Sequence, residues 1–175
     1  LLGCGAILRE VIAAAELLAD DWNVPCEVWS ATSFSELARE AREAERWNRL
    51  HPAQPPRVSH VERCFAGDAP VIAATDYVAA WPQLVAPYVG APFTALGTDG
   101  FGRSDTRAAL RRFFEVDRQH VVVAALRALQ RRGVQERKLA HLPCGISLAK
   151  HLHEKNGVQE IPIVLHIESS KLTEN

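Results

Sequence analysis

Pro70-Val71-Ile72-Ala73-Ala74-Thr75 is the stretch of sequence that decides the fold. Its four central residues form a short, uninterrupted apolar run, which is typical of a parallel strand covered on both faces. The segments before and after it alternate between helical and extended patterns. This alternation predicts an α/β domain with a largely parallel sheet. Right-handed crossovers would place helices on both faces of that sheet.

The flanking segments carry these helix and strand signals one after another. The predicted elements, in chain order, are a strand end at 1–5, a helix over about 6–21, a strand over 25–31, a helix to about 50, an ambiguous segment over 58–65, an irregular and partly helical segment over 76–89, a strand over 92–97, and helices to about 114 and over 117–133. Ser33 and Glu36 have the spacing of a capping box and predict the beginning of the second helix. Ser104 or Asp105 is the expected cap of the helix to about 114, and Asp117 the expected cap of the last.

Composition and charge narrow the classes of function. The chain has 175 residues, 47% of them hydrophobic, and a formal net charge of −1. A charge so close to zero argues against a dedicated nucleic-acid or membrane-surface binder. No apolar run approaches the roughly 18–20 residues that cross a bilayer, and no signal peptide is expected. The four cysteines, Cys4, Cys26, Cys64 and Cys144, are irregularly spaced, which favours reduced thiols in a cytoplasmic protein.

The chain divides into a body, residues 1–137, and a tail of different character, residues 138–175. All 16 arginines lie at or before Arg137, and all 4 lysines lie at or after Lys138. A natural appendage, a cloning remnant and a frame-shifted end would each produce this division. The absence of Met and the start at Leu1 predict a fragment. The histidines of the tail and Cys144 match no common zinc spacing, so no metal site is expected there.

The segment with the most chemistry is Gly97-Thr98-Asp99-Gly100-Phe101-Gly102-Arg103-Ser104-Asp105-Thr106-Arg107. A glycine-rich loop between a strand and a helix could direct backbone amides at a phosphate or carboxylate, and its arginines could add charge. The order of its glycines is not that of a dinucleotide-binding loop, and no P-loop lysine follows. The alternative is a tight turn that precedes a capped helix. The candidate residues for an interface or an anion are Gly97, Asp99, Gly100, Phe101, Gly102, Arg103, Ser104, Asp105 and Arg107.

Other polar residues point to no self-sufficient active site. The charges between Glu36 and Arg49 alternate at helical spacing, as on a solvated helix face. His51 and His60 could be general bases, but neither lies beside an obvious nucleophile or orienting acid. No serine nucleophile elbow occurs.

Five blocks of the sequence match one enzyme family in the family's own order. They are residues 2–9, 29–39, 45–52, 74–77 and 96–107. On these blocks, residues 1 to about 135 resemble the C-terminal domain of the homodimeric bacterial pyruvate dehydrogenases (acetyl-transferring). The resemblance implies a transketolase C-terminal-type fold, with three layers, α/β/α, around a small, mostly parallel mixed sheet.

The resemblance also implies a role. The parent enzyme uses thiamine diphosphate and Mg²⁺ to decarboxylate pyruvate, and it transfers the acetyl group to a lipoyl arm of the acyltransferase component. Its catalytic, cofactor-binding and metal-binding residues lie in other domains, so none is carried over, and this chain alone is expected to bind no cofactor and to be inactive. The domain would pack against the remaining domains of its subunit and across a cytoplasmic homodimer, without nucleic-acid or membrane partners.

Two further expectations follow from these observations. A domain cut away from its neighbours should expose apolar surface around Trp47, Trp81 and Phe101. The alternative function is a stand-alone anion-binding or regulatory module that uses loop 97–107.

Overall fold

The computed structural model of the protein describes residues 1–131, so the predictions for the tail, 138–175, and for a helix end at Gly133 lie outside the described residues. Its strands and helices, in chain order, are β1 (Leu2–Gly3), α1 (Leu8–Trp22), β2 (Trp29–Ser30), α2 (Phe34–Leu50), α3 (His60–Cys64), β3 (Val71–Ala74), α4 (Ala80–Gln83), β4 (Phe93–Leu96), α5 (Arg107–Phe113) and α6 (Arg118–Arg131). Short 3₁₀ turns cover Gly5–Ile7 and Ala86–Tyr88. The predicted alternation of helices and strands is confirmed.

The four strands within residues 1–131 form one sheet in the order β2-β1-β3-β4. Every pair is parallel, and Leu2 of β1 lies between Trp29 of β2 and Ala73 of β3. The predicted parallel α/β sheet is therefore confirmed. The expected mixture of strand directions does not occur in this part of the chain, where all three pairs are parallel.

Strand β3 connects the two faces of the sheet because its successive side chains point to opposite sides. Ile72 and Ala74 belong to a core formed with α1 and α6. Val71 and Ala73 belong to a second core formed with α2 and α3. All four residues are buried, which explains the continuous apolar run in the sequence. Helices thus cover both faces, and the predicted three-layer α/β/α arrangement is confirmed.

Helix α1 packs its apolar stripe against α6. Val11 and Leu18 of α1 and Val121 and Val122 of α6 are fully buried in one cluster with Ile72. Burial of a side chain of this size stabilises the fold by about 1.5–3 kcal/mol. This contact holds α6 against α1.

Two of the predicted helix caps are confirmed in position. The Ser33 hydroxyl accepts a hydrogen bond from the Glu36 amide at 3.3 Å, and the Asp117 carboxylate accepts one from the His120 amide at 3.0 Å. The return half of the Ser33 capping box is absent, because the Glu36 carboxylate instead binds Arg39 at 2.7 Å. A surface guanidinium thus competes successfully for this carboxylate.

The predicted cap of α5 is wrong by one or two residues. Thr106, not Ser104 or Asp105, is the N-cap, and its hydroxyl accepts from the Ala109 amide at 3.3 Å. The Asp105 carboxylate instead accepts a hydrogen bond from the Thr106 amide at 2.7 Å, so it binds the backbone just before the helix rather than an amide of its first turn. Three consecutive cap-forming residue types precede this helix, so the sequence pattern alone could not choose among them.

The ambiguous segment 58–65 contains a complete capping box. Ser59 accepts from the Glu62 amide at 3.2 Å, and the Glu62 carboxylate accepts from the Ser59 amide at 2.7 Å. These bonds begin the short helix α3. None of the helices in residues 1–131 combines the length and the apolar character that a membrane span requires.

Candidate functional site

The carboxyl ends of β1, β3 and β4 meet at one edge of the sheet, called here the carboxyl edge. In the sheet, β2 lies on one side of β1 and β3 lies on the other. The chain therefore reverses its winding direction after β2, and the switch point lies between β1 and β3. In open parallel sheets, ligands bind in the crevice outside such a switch point. A groove of about 350 Å³ lies here, and Asp76, Thr98, Arg103, Arg107 and Arg111 supply its polar lining.

The first half of loop 97–107 is fixed to the segment that follows β3. The Thr98 amide donates to the Tyr77 carbonyl at 2.8 Å, and the Thr98 hydroxyl donates to the Asp76 carbonyl at 2.7 Å. The Asp99 carboxylate accepts from the Ala79 amide at 2.9 Å. Asp99, a predicted site residue, therefore holds the backbone of the neighbouring loop.

Gly97 is required by close packing at this contact. A Cβ atom at Gly97 would lie 2.3 Å from the Ala79 nitrogen and 2.8 Å from the Tyr77 carbonyl oxygen. Real Cβ atoms do not approach backbone atoms so closely. Gly97 thus allows loop 97–107 and the loop after β3 to lie against each other.

The second half of the loop is exposed. Phe101 at its tip is 97% exposed, and a Cβ at Gly100 or Gly102 would meet no atom within 4 Å. Gly100 has φ +92°, a conformation that side chains disfavour, so the turn itself requires this glycine. The Arg103 guanidinium lies 4.2 Å from the centre of the Phe113 ring, in a cation–π contact.

Of the nine predicted site residues, Gly100, Gly102, Arg103 and Arg107 line the groove together. Gly97, Asp99 and Asp105 make structural contacts within or beside the loop. Phe101 and Ser104 are exposed. The prediction that the loop serves as an anion site or an interface stays a prediction.

Glu10 is a polar residue of this region that the sequence analysis missed. It is only 6% exposed, and its carboxylate accepts from Arg111 Nη1 at 2.7 Å and Arg118 Nε at 3.0 Å. The Arg118 amide donates to the same carboxylate at 3.2 Å. One carboxylate thus joins α1 to α5 and α6. The available signal was its position, since Glu10 follows Ile7 by three residues and precedes Ala14 by four, on the buried stripe of α1.

Asp117 and His120 form a second charged pair beside these arginines. His120 Nδ1 lies 2.6 Å from Asp117 Oδ1, and the His120 amide donates to the same oxygen at 3.0 Å. Burial alone would raise the pKa of the Asp117 carboxyl, but the hydrogen bonds from His120 outweigh it and hold that pKa below its usual range. The bond to Asp117 raises the pKa of the His120 imidazole despite partial burial.

The other candidate histidines lie away from the groove. His51 Nδ1 is 2.9 Å from the Trp47 carbonyl oxygen. His60 Nε2 is 3.3 Å from Cys64 Sγ, and the His60 amide donates to the Glu40 carboxylate at 2.9 Å. Both are engaged in contacts within or between helices. Cys4 and Cys26 are free, and burial raises the pKa of both thiols, which keeps them protonated.

Exposed apolar side chains occur on loop 97–107 and on the segment that follows β3. Tyr77, Val78, Trp81 and Phe101, called here the Phe101 patch, are 60%, 42%, 45% and 97% exposed. The expected exposure of Trp81 and Phe101 is thereby confirmed. Trp47 is only half-exposed, because its ring is stacked on His51 at 4.6 Å between ring centres and is covered by the Arg57 guanidinium at 4.3 Å.

Comparison with known proteins agrees with this fold. The family model of the transketolase-like TK C-terminal domain matches residues 1–117. The chain is similar to three curated proteins named pyruvate dehydrogenase E1 component. These proteins come from Cupriavidus necator (55% identity over 134 residues), Pseudomonas aeruginosa (53% over 141) and Escherichia coli K12 (51% over 140). These alignments cover 76–79% of this chain and 15–16% of the relatives, so the chain spans less than a fifth of their length.

The resemblance inferred from the five sequence blocks is therefore confirmed. The parallel sheet and the loop that follows β4 lie within residues 1–117, which the family model matches. On this evidence, the chain belongs to the transketolase-like TK C-terminal domain family, and it aligns with a part of proteins named pyruvate dehydrogenase E1 component.

Proposed function

We propose that this chain is the structural, interface-forming C-terminal domain of the thiamine-diphosphate-dependent decarboxylating component of a pyruvate dehydrogenase complex. The observation that carries the proposal is its identity of 51–55% with three bacterial pyruvate dehydrogenase E1 components. The parent enzyme would decarboxylate pyruvate oxidatively and pass the acetyl group to a lipoyl group of the acyltransferase component. It would act in the cytoplasm, with no nucleic-acid or membrane partner.

The chemistry of the carboxyl edge does not fit thiamine diphosphate with Mg²⁺. Magnesium prefers oxygen ligands, chiefly carboxylates and phosphates. Within residues 1–131, no three His, Cys, Asp or Glu side chains converge as metal ligands. Asp99 and Asp105 accept hydrogen bonds from nearby backbone amides instead. The cofactor and the metal would therefore be bound by other domains of the parent enzyme.

The Phe101 patch supports the interfacial part of the proposal. Large apolar side chains exposed on neighbouring segments are typical of sites that other protein surfaces cover. Phe101 lies on loop 97–107, Tyr77 and Val78 lie on the loop after β3, and Trp81 lies on helix α4, which follows that loop directly. Gly97, Thr98 and Asp99 hold the two loops together. The remaining domains of the subunit and the homodimer partner are the surfaces proposed to cover it.

The activity of the chain alone is a direct test. Purified chain, supplied with pyruvate, thiamine diphosphate, Mg²⁺ and an artificial electron acceptor, should show no turnover. The intact Pseudomonas aeruginosa E1 component, assayed in parallel, is the positive control. Turnover that scales with the concentration of the chain would contradict a purely structural role.

A binding experiment tests the interface. We expect the chain to associate with a Pseudomonas aeruginosa E1 component from which the aligned C-terminal residues have been removed. The double variant Trp81→Ser/Phe101→Ser should bind at least about tenfold more weakly, since exposed aromatic anchors dominate such contacts. Leu50→Ser is the matched control, because Leu50 is 55% exposed at the end of α2 and is not a member of the patch. Equal binding by the double variant and the control would refute the assigned interface.

A second candidate function, the anion-binding or regulatory module, is favoured by Arg103 and Arg107 on the wall of the carboxyl-edge groove. Calorimetry with pyrophosphate tests it. Saturable binding that Arg103→Ala abolishes would support use of the loop, whereas binding unchanged in Arg103→Ala would contradict it.

A further inference from the structure

Residues 101–114, called here the strap, line one side of the carboxyl-edge groove. The strap consists of the outer part of loop 97–107 and helix α5. The groove is lined from the sheet side by Ile7, Asp76 and Thr98, which follow β1, β3 and β4. The strap contributes Gly102, Arg103, Arg107, Leu110, Arg111 and Phe114. The groove therefore lies between the strap and the carboxyl edge of the sheet.

The strap is weakly packed against the rest of the protein. Within the described residues, α5 buries none of its seven side chains, whereas α6 buries six of fourteen. Phe101 and Phe113 are 97% and 55% exposed. Phe114, which is partly buried, packs against the core of α1 and α6. Segments with few buried apolar contacts open locally at a lower free energy than the core that supports them.

Charged contacts tie α5 to its surroundings. Arg111 Nη1 donates to the Glu10 carboxylate at 2.7 Å, and Arg111 Nη2 donates to the Ala6 carbonyl at 3.5 Å. Arg112 interacts electrostatically with Asp117. The Arg111 side chain is 20% exposed, so it already reaches water. The strap is thus held in part by ion pairs at its border with solvent.

The contact between Glu10 and Arg111 can break without leaving the buried carboxylate unpaired. Arg118 Nε donates to Glu10 at 3.0 Å, and the Arg118 amide donates to it at 3.2 Å. Arg118 belongs to α6 and stays in place when the strap moves. A broken buried ion pair is costly chiefly because one charge is left buried without a partner. Here Arg111 passes into water while Glu10 keeps its other donors, so the cost of opening is reduced.

The strap lies between two fixed parts of the chain. Before it, Thr98 and Asp99 are bonded to the loop after β3. After it, Val116 is buried, with 1% exposure. Gly100 and Glu115, which separate these anchors from the strap, have φ of +92° and +58°. Hinge residues are typically loop or element-terminal positions of this kind. A motion between them preserves both hydrophobic cores, because neither core includes a buried residue of the strap.

We propose that the strap is a gate that opens as a unit from the carboxyl-edge groove, with the ion pair of Glu10 and Arg111 as its latch. Opening releases Arg111 to water and widens access to the switch point of the sheet, where ligands bind in open parallel sheets. The inference does not depend on the proposed function, because it rests on contacts within this chain.

Hydrogen exchange of single amides, followed by NMR on the full chain, tests the gate. A helix as short as α5 is unstable in water by itself, so it loses its hydrogen bonds once it detaches. The amides of Leu110 and Phe114 are bonded to the carbonyls of Thr106 and Leu110. After correction for intrinsic rates, they should exchange at least about tenfold faster than the amides of Val122 and Leu126 in α6.

Two variants separate opening of the strap from unfolding of the whole domain. Arg111→Gln removes the latch and should speed exchange at Leu110 and Phe114 by the same factor, at least about threefold. Ile72→Val weakens the core of α1 and α6, which stays formed when the strap opens. It should speed exchange of the α6 amides at least about twofold and leave the α5 amides unchanged.

Arg107→Gln is the matched control for the latch, since Arg107 lies on the same helix, whereas Glu10 is bound by Arg111 and Arg118. It should not speed exchange in α5. The proposal is overturned if the α5 amides exchange no faster than the α6 amides, or if Arg111→Gln speeds them no more than the control does. It is also overturned if Ile72→Val speeds both helices equally, because α5 would then open only when the whole domain unfolds.

Discussion

Replacing Gly97 by alanine should separate the two loops of the carboxyl edge. The added methyl group would lie 2.3 Å from the Ala79 nitrogen, whereas ordinary contacts begin near 3.4 Å, so backbone must move by about an ångström. That shift breaks the three hydrogen bonds that Thr98 and Asp99 form with residues 76–79. At about 0.5–1.5 kcal/mol each, their loss predicts a decrease of about 3 kcal/mol in the free energy of unfolding.

Urea unfolding followed by far-UV circular dichroism measures this change, with linear extrapolation to water. Gly102→Ala is the matched control in the same loop, because a Cβ there meets no atom within 4 Å. The control should stay within about 0.5 kcal/mol of the wild type. The reasoning fails if Gly97→Ala costs less than about 1 kcal/mol, or no more than the control.

Two further predictions concern the charged pairs. Glu10→Ala should lower the free energy of unfolding by about 3 kcal/mol. This value is near the lower end for a broken buried ion pair, because the Arg118 side chain is 38% exposed. A loss below about 1 kcal/mol, measured by urea unfolding, would contradict the prediction. The pKa of His120 is raised above its ordinary value of 6.5, and the pKa of Asp117 is lowered below its ordinary value of 3.8. The pair therefore stabilises the fold fully between pH 3.8 and pH 6.5, and this stabilisation is lost as the pH rises through the folded-state pKa of His120. Melting temperatures between pH 5 and 9 should therefore fall more steeply for the wild type than for His120→Gln, and parallel curves would show that the pair does not contribute.

The parts of the fold that were predictable from sequence are those with local signals. Strand β3 lies within one residue of its expected place, since burial on both faces leaves an uninterrupted apolar run. Helix α2 begins where Ser33 indicated. The strand predicted over 25–31 shrinks to Trp29–Ser30. Within residues 1–131 it lies at the edge of the sheet, and its one partner there, β1, has two residues to pair with.

The candidate site was predictable only in part, for a related reason. Loop 97–107 was predictable from its glycine-rich composition. The close backbone packing at Gly97 is one structural reason for a glycine there. The ion pairs of Glu10 join residues 101 and 108 positions apart, so the central role of this carboxylate does not follow from any local pattern. Tertiary contacts of this kind depend on how α1, α5 and α6 cross.

The alternation of side chains along β3 has a consequence for how the protein melts. Two hydrophobic clusters could in principle loosen one after the other, yet both include residues of the same four-residue strand. Ile72 cannot leave the cluster of α1 and α6 without pulling Val71 and Ala73 from the opposite face. The clusters should consequently come apart together, in one cooperative transition.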